Sequence, residues 1–224
     1  MATPEGDFQR ARRPEHKEQR REAILAAARL LGARDGVRSV SLTDIATEVG
    51  IHKSAILRYF ETREEIYLHL TAAGWSSWSD AVRAELDGAH EVAPERLAAI
   101  LATTLAERPL FCELLSHVSL NLERHVSAEA VHAFKLTGLA AVDDISAQAA
   151  GALPPLGQHG ARDLVTTVTA LAAALWQAAH PPETLAALYL RDPRLGHAVV
   201  DFAPRLERLT YAAILGLIAA ADRR

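Results

Sequence analysis

Within the eight residues from His52 to Tyr59 the chain carries an imidazole, an ammonium, a hydroxyl, a guanidinium and a phenol, with no carboxylate among them. His52, Lys53, Ser54, Arg58 and Tyr59 can all donate hydrogen bonds to phosphate oxygens or to the edges of bases. Ala55 lies among them and is short enough to let a backbone approach a groove floor closely. Thr43 and Arg63 flank the group with a further hydroxyl and a further cation. This set suits binding to a polyanion.

The elements that must position these side chains are legible around them. Leu42, Ile45, Ala46 and Val49 fall at i, i+3, i+4 and i+7, the stripe of a one-sided helix. Ser41 precedes that stripe as an N-cap, and Asp44 three residues later completes a capping-box pattern near the positive end of the helix dipole. Gly50 supplies the left-handed residue that stops the helix. Ile51 then plugs the corner, and Ile56 and Phe60 form the inward face of a second helix, with Ala46 small enough for the two to cross closely. The outward face of the second helix is His52, Lys53, Ser54, Ala55, Leu57, Arg58 and Tyr59. Two short helices joined by a glycine turn are what a helix-turn-helix DNA reader requires.

The segment IHKSAILRYFETREEIYLHL resembles those of the tetracycline-repressor (TetR) family, which end in an aromatic pair followed by Lys or Arg. The likeness covers roughly residues 15–70, with Ile24, Ala27, Ala28 and Leu31 on a first helix, Gly36 at its exit and Val40 packed before the cap. It implies that Thr43, Lys53, Tyr59 and Arg63 contact phosphates. Leu57 stands where the family commonly has a tyrosine, so one usual phosphate contact is missing. His52 replaces a serine or threonine and Ser54 a glycine, which alters the base-reading surface. The resemblance further implies an all-α protein, pairing of the final helices across a two-fold axis, and a repressor released from a palindromic operator by a small-molecule effector.

The remainder sets the frame. A chain of 224 residues, half of them apolar, can bury a large core. No apolar run follows the basic N-terminal residues and Cys112 is the lone cysteine, so a reducing cytoplasm is expected and an internal disulfide is excluded. Net charge is −4, yet residues 1–70 hold 12 Lys or Arg against 11 Asp or Glu while the rest hold 12 against 17. The basic balance therefore sits with the reader. Residues 164–182 are uncharged and about long enough to span a bilayer. Their threonines, Gln177, His180 and Pro pair fit a helix buried between protein surfaces better.

Three regions are expected: an arm over residues 1–14 with Arg10, Arg12 and Arg13 available to a minor groove or phosphates, a reader over 15–61, and a helical effector-binding and dimerisation domain over 62–224. The spacing predicts a long helix from Thr62 to about Leu86. Further helices are expected from Pro94 to about Arg108, from Pro109 to about His125 and from Ser127 to about Ala150. Gly151 to Gly160 reads as a loop. Helices follow over about 161–179, 183–190 and 204–221, and no strand alternation persists.

Apolar stripes at Val165, Val168, Ala172 and Leu175, and at Leu206, Leu209, Ala213 and Leu217, suit a four-helix dimer interface or the protomer's own core. Trp75, Trp78, Phe111, His117, Asn121, Phe134 and Trp176 are candidates for a pocket holding an apolar or amphipathic effector. Glu113, His117, Asn121 and His125 form an i, i+4 row that could hold a metal, but no third ligand is evident. We therefore expect no metal and no cofactor. Cys112 sits in the apolar run LFCELL as a core residue, and with no nucleophile elbow or phosphate-binding glycine loop the chain is not expected to be an enzyme. Besides a DNA-binding regulator, the sequence allows a small-molecule binding or sequestering protein whose DNA motif is vestigial.

Overall fold

The computed structural model describes the backbone of residues 5–221, with side chains from residue 16 onward except at 119–120 and 197–198. The chain forms α1 (Glu5–Asp35), α2 (Leu42–Val49), α3 (Lys53–Ile56), α4 (Arg63–Leu86), α5 (Pro94–Ala106), α6 (Pro109–His117), α7 (Ala128–Ala152), α8 (Gly157–Ala179), α9 (Glu183–Arg191) and α10 (Phe202–Ala221). A π-turn at Val118–Leu122 and 3-10 turns at Pro154–Leu156 and Pro193–Ala198 complete the elements, and no strand occurs among the described residues. Backbone is helical from Glu5, where the sequence reading has an arm; Arg, Gln and Ala in this stretch are good helix formers. The side chains of Arg10, Arg12 and Arg13 lie outside the described residues.

Two cores are joined along α4. The first, the head, gathers Ile24, Ala28 and Leu31 of α1, Ile45 and Ala46 of α2, Ile56 and Phe60, and Ile66, Tyr67 and Leu70 of α4. Leu114, Val118, Leu122 and Phe134 close it from the side of α6 and α7. The second, the body, packs Trp78, Val82 and Leu86 of α4 with α5, α6, α7, α8 and α10. The long fourth helix thus contributes its first turns to one core and its last turns to the other, so a tilt of α4 moves the head relative to the body.

At the centre of α4, α6 comes unusually close. A Cβ built on Gly74 would stand 2.3 Å from Cδ2 of Phe111, and the Phe111 ring is held in turn by Trp75 and Trp78, with centroids 5.4 and 6.3 Å away. The ring has nowhere simple to go. Gly74→Ala is expected to cost about 1–3 kcal/mol through overpacking, measured as a lower midpoint in urea unfolding.

Two expectations about the elements are corrected. The segment from Gly151 to Gly160 is a tight corner between helices and not an open loop, because Pro154 and Pro155 fit the first positions of a 3-10 turn and Leu153 and Leu156 are buried. The Ala152 carbonyl accepts from Val92 N at 2.9 Å, and Gly157, at φ +64°, starts the next helix directly. The helix from Pro109 is also shorter than expected, ending at His117 and passing into the π-turn.

Candidate nucleic-acid interface and effector site

The reader is built from its caps. Ser41 Oγ accepts from Asp44 N while Asp44 Oδ2 accepts from Ser41 N at 2.8 Å, the reciprocal pair anticipated in sequence. Gly50 takes φ +72°, and Ile51 N bonds back to the Ala46 carbonyl at 2.9 Å, closing the turn. The recognition segment starts at Lys53, and its helix is one turn long before i→i+3 bonds from Arg58 and Tyr59 tighten it toward Phe60. Ile56 and Phe60 are buried. Thr43, His52, Lys53, Ser54 and Arg58 are exposed, and Ala55 and Tyr59 are half-buried beside them.

His52 does more than face outward. Its Nδ1 accepts from Ser54 N at 3.3 Å and lies 2.8 Å from Ser54 Oγ, so the imidazole caps the recognition helix. That leaves Nε2 for a partner outside the protein.

Arg63 is withdrawn from the phosphate-contacting set. Its Nε donates to the Val40 carbonyl at 2.5 Å, a terminal nitrogen donates to the Val37 carbonyl, the other pairs with Glu64 at 3.0 Å, and the guanidinium lies 4.8 Å from the centre of the Tyr67 ring. Nε and one terminal nitrogen are turned onto the α1–α2 connection, which Arg63 thereby clasps to α4. A cation just after an aromatic pair reads the same whether it faces DNA or its own backbone, since the acceptors are carbonyls with no sequence signature.

A second head-to-body tie was missed entirely. Glu113 of α6 accepts from Val37 N at 2.7 Å, across 76 residues of sequence. Beside it His117 is buried, with Nε2 4.0 Å from Glu113 Oε1 and without a hydrogen-bond partner among the described residues. Asn121 and His125, the rest of the proposed metal row, are exposed, and among the described residues no three metal-ligating side chains come together. On α1, Arg21 reaches His69 of α4 at 2.8 Å and covers Phe60.

Burial holds the pKa of both histidines below the ordinary value of 6.5, helped by Arg21 at His69 and by Arg38 and Arg63 at His117. The folded protein therefore keeps them neutral where the unfolded chain takes up protons. Their contribution is complete above pH 6.5 and is lost as pH falls through the folded values. Burial raises Glu113 instead, so its contribution is complete below the unfolded value of 4.5 and declines as pH rises above it, opposite in sign to the histidines. Melting temperature is expected to drop on acidification from pH 7 towards 5.5, and the slope to flatten in a His69→Asn, His117→Asn double variant.

The proposed pocket residues separate. Trp75 and Phe134 line one groove of about 360 Å³ with Leu115, Gly138, Leu139 and Val142. Phe111 backs the Trp75 ring from the other side. Trp78 is fully buried in the body core, His117 belongs to the head–body contact, Asn121 is exposed, and Trp176 stacks on His180 at 3.9 Å and meets Phe202 edge-on, so these four leave the pocket set. Large residues at helical spacing reveal that something is packed, not against what.

The dimer set divides too. Val165, Val168, Ala172 and Leu206 are buried in the protomer's own core, because α8 lies among α6, α7 and α10. Leu175, Leu209, Ala213 and Leu217 keep part of their surface in solvent. Cys112 is buried, donates to the Leu105 carbonyl at 3.2 Å, and has its thiol pushed up to about 12 by burial, which keeps it protonated and inert. Among the described residues no helix is long and apolar enough to cross a membrane.

Residues 24–70 match the family described as bacterial regulatory proteins, tetR family, and residues 72–221 match the tetracyclin repressor-like C-terminal domain. The chain belongs to the TetR family. No curated protein matches this TetR-family regulator in sequence. Among solved structures it is similar to the fatty acid degradation regulator FadR of Bacillus halodurans, with 16% identity, TM-score 0.53, and coverage of 89% of this chain and 94% of that one. It is also similar to Thermus thermophilus FadR, a TetR-family transcriptional repressor in complex with lauroyl-CoA, with 19% identity, TM-score 0.50, and coverage of 89% and 93%. A Mesorhizobium loti chain assigned to the same family shares 16% identity at TM-score 0.52, covering 91% and 97%. At these identities the likeness speaks for the fold of the regulator.

Proposed function

We propose that this TetR-family regulator acts in the cytoplasm as a homodimeric repressor of a two-fold-symmetric DNA site, and that a small apolar or amphipathic molecule in the Trp75–Phe134 groove releases it. The observation that carries the DNA reading is the outer face of α3. Lys53 and Ser54 are exposed there on a helix capped by His52, and Arg58 is exposed on the turn that follows, with no acidic side chain between residues 51 and 60. Both caps and the buried corner of the motif are intact, which favours a working reader over a vestigial one. One short recognition helix touches few base pairs, so two copies are needed for useful affinity. The part-exposed residues Leu175, Leu209, Ala213 and Leu217 on α8 and α10 are the surface we assign to that pairing.

The groove suits an effector because its walls are largely apolar and the Trp75 indole N–H, near Gly138 and without a hydrogen-bond partner among the described residues, offers one donor to orient a guest. A guest between α4 and α7 that favours a different α4 tilt shifts the separation of the two readers, and a differential affinity of a few kcal/mol suffices.

The test is a gel-shift titration on a site selected from genomic fragments. Lys53→Ala is expected to weaken binding to every sequence and to reduce the salt slope by about 0.9, one phosphate contact. Unchanged affinity and slope would sink the assignment of this face.

A further inference from the structure

Head and body are separated on one side by a second cleft, of about 550 Å³, which no assignment above uses. Its floor is apolar, formed by Leu70 and Gly74 of α4 and by Leu110 and Phe111 of α6. Two guanidinium groups border it from opposite elements, Arg29 on the head helix α1 and Arg108 just before α6. Among the described residues no carboxylate lines it. Arg29 is exposed and has no acidic partner among the described residues. Arg108 is steered by α5 and α4: one terminal nitrogen donates to the Thr104 carbonyl at 2.6 Å and lies 4.0 Å from Glu107 Oε2, and Nε donates to Ser77 Oγ at 3.2 Å, leaving the other terminal nitrogen for a further acceptor.

We infer that this cleft is a binding site for an anionic amphiphile, a hydrocarbon chain lying on Leu70 and Phe111 with its carboxylate or similar acid head held by Arg29 and Arg108. Hydrocarbon walls alone would accept any apolar chain. Arg29 without an acidic partner among the described residues, and Arg108 with Glu107 no nearer than 4.0 Å, select for negative charge, and a guanidinium fork fits a carboxylate in two-pronged fashion. The size lies within the range of small-molecule sites. The site differs in kind from the Trp75–Phe134 groove, because it bridges α1 to α6 and so touches head and body directly. An occupant joins the two across the seam already tied by Glu113 and Val37. Its effect on DNA binding rests on the function proposed above; the binding itself does not.

Phe111 forms the cleft floor and packs on Trp75 and Trp78, so tryptophan emission of the full-length protein reports occupancy. Sodium dodecanoate, kept below its micelle concentration, is titrated beside dodecan-1-ol and dodecyltrimethylammonium, with calorimetry as the second readout. Saturable binding of dodecanoate alone is expected. Arg29→Gln and Arg108→Gln should each weaken it about tenfold, the loss of one charge-assisted contact. Because Arg108 also holds Thr104 and Ser77, the exposed Arg29 carries the decisive variant should the other unfold. Gly138→Leu, which fills the Trp75–Phe134 groove, should leave dodecanoate affinity unchanged. Equal binding of all three compounds, no binding, or an Arg29→Gln protein that binds as wild type would each overturn the site. Loss of dodecanoate binding in Gly138→Leu would also overturn it while supporting the groove as the effector site.

Discussion

Trp78→Ala is expected to be the most damaging single substitution in the body, costing about 3–5 kcal/mol. The indole is fully buried, lies against Trp75 and Phe111 at centroid distances of 5.7 and 6.3 Å, and donates from Nε1 to Thr104 Oγ1 at 3.0 Å. Truncation removes the largest side chain in the core and opens a cavity between α4 and α5 that rigid helices cannot collapse to fill. For a chain of this size the melting temperature should fall by roughly 6–20 °C. Trp78→Phe separates the two contributions: it keeps most of the packing and loses the N–H donor, so a penalty of about 1–2 kcal/mol is expected. If Trp78→Ala melted within 2–3 °C of wild type, the α4–α5 packing described above would be wrong.

Arg63→Ala should produce the second-largest effect, and its character matters as much as its size. The side chain gives up two charge-assisted bonds to the Val37 and Val40 carbonyls and its contact with the Tyr67 ring, leaving part-buried carbonyls without donors. A loss of about 2–4 kcal/mol follows from charged hydrogen bonds of this kind. Because the α1–α2 connection is no longer clasped to α4, affinity for all DNA sequences should fall as the reader loses its fixed orientation. The salt slope should nevertheless stay at the wild-type value, since no phosphate contact is removed. Lys53→Ala is expected to show the opposite signature, little change in stability and a flatter slope. Should Arg63→Ala flatten the slope by about one unit while the melting curve stays put, the residue faces phosphate after all. Arg63→Lys cannot rescue fully, as one ammonium cannot serve two carbonyls and a carboxylate with the geometry of a guanidinium fork.

Both substitutions separate what is local from what is not. The reader was legible because its signals lie within a few residues of each other. Ser41 and Asp44 cap one helix, Gly50 has to be left-handed, and Ala46 has to be small for Ile51 and Ile56 to pack beneath it. Each requirement is met by backbone geometry alone, so each leaves a residue type at a fixed offset. The start of α4 behind the cap Thr62 and the starts of α5 and α6 at Pro94 and Pro109 were legible for the same reason.

Other features had no such signature. Val165, Val168, Ala172 and Leu206 form apolar stripes, but burial against the same chain and burial against a partner obey one periodicity. Trp78 and Trp176 were indistinguishable by type from Trp75, although Trp75 lines a groove, Trp78 is buried in the body core and Trp176 stacks on His180. Residue chemistry and short-range spacing were enough to mark an all-helical DNA reader followed by a larger helical domain. Which cations face DNA and which clasp the head, where a ligand can enter, and how Glu113 meets Val37 across 76 residues were decided only when the helices packed. Those contacts join side chains to backbone groups that every residue possesses, so they become visible once the two partners occupy the same place.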